Sequence, residues 1–130
     1  MAETLTCVPV RSRSVGSTAA VVYASDYLNK LSGERIEREC RLQLEAGRRA
    51  LVINFRDTEL VNSIGVSILL GVIDAAEEAC AKLIFSDASP QTVELFEMLG
   101  LTRLVTLAST EEEALASLTE FAQGAYGSGH

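Results

Sequence analysis

Leu51-Val52-Ile53-Asn54-Phe55, followed after a short polar loop by Val61-Asn62-Ser63-Ile64-Gly65, is the stretch on which the fold turns. The first segment is short, apolar and rich in β-branched residues, and reads as a buried strand. From Ile64 to Ala76 the chain is dominated by Ile, Val, Leu and Ala and closes on the acidic pair Glu77-Glu78, which reads as a helix. Ser63 falls where strand hands over to helix, with its hydroxyl in the mouth of the helix. Backbone N–H groups there are unpaired and the macrodipole is positive, so an added phosphate is tolerated. That makes Ser63 the candidate active residue. On local pattern alone the same serine reads as an N-cap accepting one backbone N–H, worth about 1 kcal/mol. Asn62 then merely suits a turn and Gly65 merely allows close helix packing.

Outward from this junction the chain alternates. Toward the N-terminus, Thr4 to Val10 has strand character, with Pro9 placing it at a sheet edge. Arg11 to Thr18 reads as a turn and Ala20 to Ala24 as a second strand, so the chain is expected to open with a hairpin. A helix is expected from Gly33, with Ser32 as its N-cap and Gly47 as its stop; Ile36, Cys40 and Leu44 share one face, while Glu34, Arg38, Arg41 and Glu45 face outward. Beyond the central helix, taken to end near Ala81, Lys82 to Ser86 reads as a strand. Ser89-Pro90 starts a third helix that ends before a left-handed Gly100. Arg103 to Leu107 reads as the last strand. Thr110 and Glu113 form a capping box for a final helix with the stripe Ala114, Leu115, Leu118 and Phe121.

This order implies an α/β domain with right-handed crossovers: a mixed, mostly parallel sheet of about five strands, four helices and an opening β-hairpin. One domain is expected over 1–122, with 123–130 a flexible tail.

Composition narrows the function. The 130 residues carry a net charge of −7, which disfavours direct nucleic-acid binding and anionic membranes. The longest apolar run falls far short of the roughly 20 residues that span a bilayer. No signal peptide is seen at Met1-Ala2-Glu3-Thr4, and Cys7, Cys40 and Cys80 show no metal or redox spacing, so they read as core residues of a cytoplasmic protein. The lone histidine, His130, leaves no Ser-His-Asp set, and no metal site or glycine-rich phosphate cradle is present. Asp57 follows an apolar strand as in receiver domains, but no acidic pair follows the first strand to hold magnesium. No cofactor and no catalytic activity are expected.

The ordered motifs resemble the STAS domain family, in particular the bacterial anti-sigma factor antagonists. The likeness runs from about Val21 to Leu118 through the Leu51–Gly65 junction, Leu95-Phe96-Glu97-Met98-Leu99-Gly100-Leu101 and Ser109-Thr110-Glu111-Glu112-Glu113-Ala114-Leu115. The family's Asp-Ser-Ser-Gly signature falls on Asn62-Ser63-Ile64-Gly65, and its Gly-x-x-Asp motif on Asp26-Tyr27-Leu28-Asn29. Two family aspartates are thus amides here, Asn29 and Asn62, and the second serine is Ile64. The resemblance implies partner switching. The unphosphorylated protein would bind an anti-sigma serine kinase, phosphorylation at Ser63 would release it, and a serine phosphatase would reset it. Asn29, Asn62, Ser63, Ile64 and Gly65 would form the partner-binding surface. Alternatives are a STAS-like module in another kinase and phosphatase circuit or scaffold, and a small-ligand or nucleotide-binding domain. The oligomeric state is left open.

Overall fold

The computed structural model describes residues 10–118. Strand β1 (Ser12–Val15) runs antiparallel to β2 (Ala19–Tyr23), with Ser12 opposite Val22 and Val15 opposite Ala19. The turn between them uses Gly16 at φ +64°, a backbone region that favours glycine. The expected hairpin exists, but Arg11 to Thr18 is not simply a turn, since it contains β1. The reason is burial: Ser12, Arg13 and Ser14 are exposed, so this edge strand shows no apolar alternation. Of Thr4 to Val10, read as the first strand, residues 4–9 lie outside the described residues, and Val10 is not in a strand.

After β2 the chain forms β3 (Tyr27–Leu28), α1 (Lys30–Glu45), β4 (Ala50–Asn54), β5 (Leu60–Val61), α2 (Ser63–Glu78), β6 (Lys82–Ser86), α3 (Pro90–Met98) and β7 (Thr106–Ala108). A final helix, α4, occupies 111–118 of the described chain. The main sheet has the order β1-β2-β4-β6-β7, and every pair after the first is parallel. Each parallel crossover moves one strand in the same direction, so right-handed connections place α1, α2 and α3 on one face. Ala20, Val22, Leu51, Ile53, Leu83 and Phe85 meet these helices there. The alternate residues Val21, Val52 and Ile84 meet Ala114 and Leu118 of α4 on the other face. Burial on both faces explains why Leu51-Val52-Ile53 is continuously apolar.

Several boundaries differ from the sequence reading. Asn29, not Ser32, caps α1; Ser32 is the third helical residue and closes a reciprocal capping box with it. The central helix ends at Glu78, and Cys80 follows at φ +56°, exposed rather than in the core. Cys40 is buried, and that burial pushes its thiol up to about 12. Leu101–Arg103 forms a 3₁₀ turn, so β7 is shorter and later than Arg103 to Leu107. Gly100 does adopt a left-handed φ of 83°. Glu113 donates its N–H to Thr110, but its carboxylate reaches back to the Ser109 N–H. Phe121 lies outside the described residues.

Two features hold the layers together. Phe55, Phe85 and Phe96 form a cluster with ring centroids 5.1–5.6 Å apart, anchoring α3 on the sheet. At the C-terminal end of β4, the Asn54 amide donates to Asp87 (3.0 Å) and Glu111 (2.9 Å) and accepts from the Arg56 N–H (2.7 Å). Glu111 also pairs with Arg13, so this buried amide ties α4 to β1, β4 and the end of β6.

Two outcomes follow for stability. Phe96→Ala is expected to cost ~3–5 kcal/mol, read by urea denaturation. Burial pulls the Glu111 carboxyl up, but hydrogen bonds from Arg13, Asn54 and Tyr23 outweigh it and hold the group below its ordinary value. Its stabilising contribution is therefore complete above the unfolded-chain value and lost as pH falls through the lower, folded one. Glu111→Gln should flatten that part of the acid limb; an unchanged limb would mean the network does not set it.

Candidate functional site

The candidate residues gather where two strands give way to two helices. Tyr27 pairs with Leu60 and Leu28 with Val61 in a small parallel ladder beside the main sheet. The chain then enters α1 through Asn29 and α2 through Asn62. Asn62 donates its N–H to the Leu28 carbonyl at 2.7 Å, joining the two helix entrances. This ladder lies in segments too short to show a period, and the loop Arg56 to Asn62 gave no sign of β5. The Tyr27-Leu28 apolar pair amid polar neighbours was the available signal.

Gly65 fixes how close the entrances come. A Cβ there would sit 2.8 Å from the Leu28 carbonyl oxygen and 2.9 Å from its carbon. On α1, a Cβ at Gly33 would lie 3.5 Å from the Gly65 Cα and 3.3 Å from Ile68. Two glycines thus let the first turns of α1 and α2 lie against each other and the ladder.

Each entrance is closed by an asparagine. The Asn29 side chain accepts from the Ser32 N–H at 2.9 Å, while the Ser32 hydroxyl accepts from the Asn29 N–H at 2.9 Å. Asn62 accepts from the Ile64 N–H at 2.7 Å. The reading of Ser63 as the N-cap is therefore overturned: Asn62 caps α2 and Ser63 is its first helical residue. Asn and Asp are comparable caps, and the two asparagines close both helix entrances without adding negative charge. Ser63 is exposed, and its hydroxyl makes no hydrogen bond among the described residues; only its carbonyl is engaged, by the Ser67 hydroxyl at 3.1 Å.

The surroundings of Ser63 are unusually apolar for a surface. Ile64 is 52% exposed and Leu31, the second residue of α1, equally so; Leu60 is 63% exposed and Tyr27 40%. These four exposed side chains come from the two helix starts and the two strands of the ladder, at the same end as Ser63; of them the sequence singled out only Ile64. Asp26 and Glu59 are exposed beside the ladder, and Lys30 pairs with Glu34 at 3.7 Å. All five candidate residues lie at this one end of the molecule. Among the described residues, no group of three acidic, histidine or cysteine side chains is placed to hold a metal, and no helix is long and apolar enough to cross a membrane.

Comparison with known proteins agrees with this architecture. The family model described as "STAS domain" matches residues 13–114. BtrV of Bordetella bronchiseptica, a candidate anti-sigma factor antagonist, is 24% identical over 90 residues, covering 69% of this chain and 78% of its own. The Bacillus cell fate determinant SpoIIAA in its phosphorylated form matches with a TM-score of 0.66 at 22% identity, covering 84% of this chain and 98% of that one. The unphosphorylated anti-sigma factor antagonist SpoIIAA gives 0.71 at 22%, covering 88% and 96%. A serine-to-glutamate variant of RsbS from Moorella thermoacetica gives 0.77 at 19%, covering 89% and 99%.

The geometry sets three stability expectations, read in urea. Gly65→Ala should cost ~1–3 kcal/mol, because the added carbon meets backbone rather than a side chain that can swing away. Asn62→Ala should cost about 1 kcal/mol through the lost cap, and Asn62→Asp should be nearly neutral. Ser63→Ala should stay within about 0.5 kcal/mol; a loss as large as that of Asn62→Ala would restore Ser63 to the cap.

Proposed function

The chain belongs to the STAS domain family, and within it we propose that it is an anti-sigma factor antagonist working by partner switching, with Ser63 as the phosphorylated residue. The observation that carries this reading is the exposed Ser63 hydroxyl, left unengaged because Asn62 caps the helix, at the end of the domain where Tyr27, Leu31, Leu60 and Ile64 are also exposed. A hydroxyl needed for the cap would be unavailable without loss of stability. This one is available.

In the unphosphorylated state Tyr27, Leu31, Leu60 and Ile64 offer apolar area for a partner to cover, and Ser63 is a small neutral group among them. The partner is an anti-sigma factor with serine kinase activity, whose capture frees the sigma factor. The Ser63 oxygen attacks the γ-phosphorus of the ATP held by that kinase; ADP leaves, and the hydroxyl proton is lost. The new group carries about −1.5 to −2 charges at neutral pH. Its burial against an apolar partner then becomes costly, while in the free domain the start of α2 and water accommodate it. Release follows without refolding. The match of this fold to SpoIIAA in both phosphorylated and unphosphorylated forms supports a local change. A serine phosphatase hydrolyses the ester and restores the docking surface. In this cycle the domain is bound and modified, catalyses nothing and needs no cofactor, and the circuit runs in the cytoplasm.

The test is co-purification from the native host followed by phosphorylation. A captured ATPase serine kinase should add one phosphate, mapped to Ser63 by mass spectrometry and absent from Ser63→Ala. Phosphate on Ser67, or on no residue, would contradict the assignment. Capture of a scaffold without any kinase would point to a STAS module of another circuit. Ser63→Glu should weaken kinase binding by roughly tenfold or more, about 1.4 kcal/mol, with an almost unchanged melting temperature.

A further inference from the structure

We propose that the partner docking on the Ser63 end carries an acidic segment, held by Arg11 and Arg56 where both guanidiniums lie against Tyr23. This rests on the partner-switching reading and adds the chemistry of the partner. Tyr23 ends β2 at the same end of the sheet as the two helix entrances. The Arg11 guanidinium lies 4.8 Å and that of Arg56 5.8 Å from its ring centroid. Arg13, though exposed, already donates to the Tyr23 hydroxyl at 3.3 Å and pairs with Glu111.

A guanidinium attracted to a ring face keeps N–H donors that can grip a carboxylate. Among the described residues the Arg11 guanidinium has no ion pair or hydrogen bond, and Arg56 has only the Asp57 carboxylate at 3.9 Å, beyond hydrogen-bond length. Two exposed cations thus stand over one aromatic ring in a chain of net charge −7. A partner drawn by overall charge would be basic; this patch selects the opposite sign locally.

The patch is linked through two short loops to the β3–β5 ladder at the Ser63 end. Residues 23–27 lead from Tyr23 into β3, and 56–60 lead from Arg56 into β5. The two segments are tied by the Thr58 hydroxyl donating to the Ser25 carbonyl (2.7 Å) and by the N–H groups of Glu59 and Leu60 donating to the Asp26 carbonyl. Asn29 and Asn62 are neutral caps, so neither helix entrance adds a carboxylate at this end. Of the exposed carboxylates that remain, Asp26 and Glu59 flank the ladder, which favours the Tyr23 side for the acidic segment, while Asp57 stands beside Arg56. In the cavity beside Tyr23 the Ser32 hydroxyl already donates to the Tyr27 carbonyl at 2.6 Å and is not free to donate to a small anion. A phosphate on Ser63 would then repel the partner's acidic segment as well as spoil the apolar contact.

The experiment is a titration of the ¹⁵N-labelled protein with hexaglutamate peptide, and separately with inorganic phosphate, at about 50 and 300 mM salt. Saturable shifts are expected at the Tyr23 amide and the Arg11 and Arg56 Nε–H groups. Affinity should fall roughly tenfold at the higher salt, as screening shortens the field of exposed charges. The shifts should vanish in the Arg11→Gln/Arg56→Gln double variant, whose melting temperature should match the parent, and persist in Ser63→Ala. No saturable shift, shifts surviving in the double variant, or a response to phosphate alone would overturn the proposal. Since the readout does not involve Ser63, failure of the phosphorylation assignment leaves it a separate result.

Discussion

The Leu28 carbonyl is the point on which the functional end of this domain depends. It accepts the Asn62 N–H at 2.7 Å and stands where any side chain at position 65 would strike it. One oxygen thus fixes β3 against the start of α2 and dictates the absence of a side chain there. With Gly33 facing Gly65, it also sets α1 beside α2, so that Asn29 and Asn62 close adjacent helices. The exposure of Tyr27, Leu31, Leu60 and Ile64 around Ser63 follows from that tight join. Their backbones are needed in the ladder and the first turns, and the packing leaves their side chains outside.

The caps separate geometry from charge. Helix entrances need a short acceptor, and an amide oxygen serves as well as a carboxylate oxygen. Using asparagine at both entrances keeps the two first turns intact and makes the surface around Ser63 less negative. A phosphate arriving there is then the dominant new charge rather than one more among several. The proposed switch would use that contrast, because exposed charges in water interact weakly unless a partner excludes the water.

Much of the architecture was legible in the sequence because burial imposed a period on it. Lys82 to Ser86 and the Ser89-Pro90 start were read as they stand, since a strand buried on both faces and a proline-led cap leave direct signatures. β1 was missed because its exposed, polar edge carries no alternation. β3 and β5 were missed because two residues cannot show a period. The end of the sheet near Arg103 was misplaced because a 3₁₀ turn absorbs the residues after Gly100 before pairing resumes. At the site, the position of Ser63 was legible but its role in the helix was not. Asn and Ser are both good caps, and only the observed bond from the Ile64 N–H to Asn62 decides between adjacent residues. Tyr27, Leu31 and Leu60 come from separate segments, and only the fold brings them to one end of the molecule.

The most direct measurement is calorimetric binding of the captured kinase to protein carrying phosphoserine at position 63, compared with unmodified protein, with ¹H–¹⁵N spectra of both free domains. Loss of affinity by tenfold or more, with spectral changes confined to the first turns of α1 and α2 and the ladder, is the predicted result. Equal affinity for the two forms, or changes spread through the sheet, would contradict a local charge switch at Ser63.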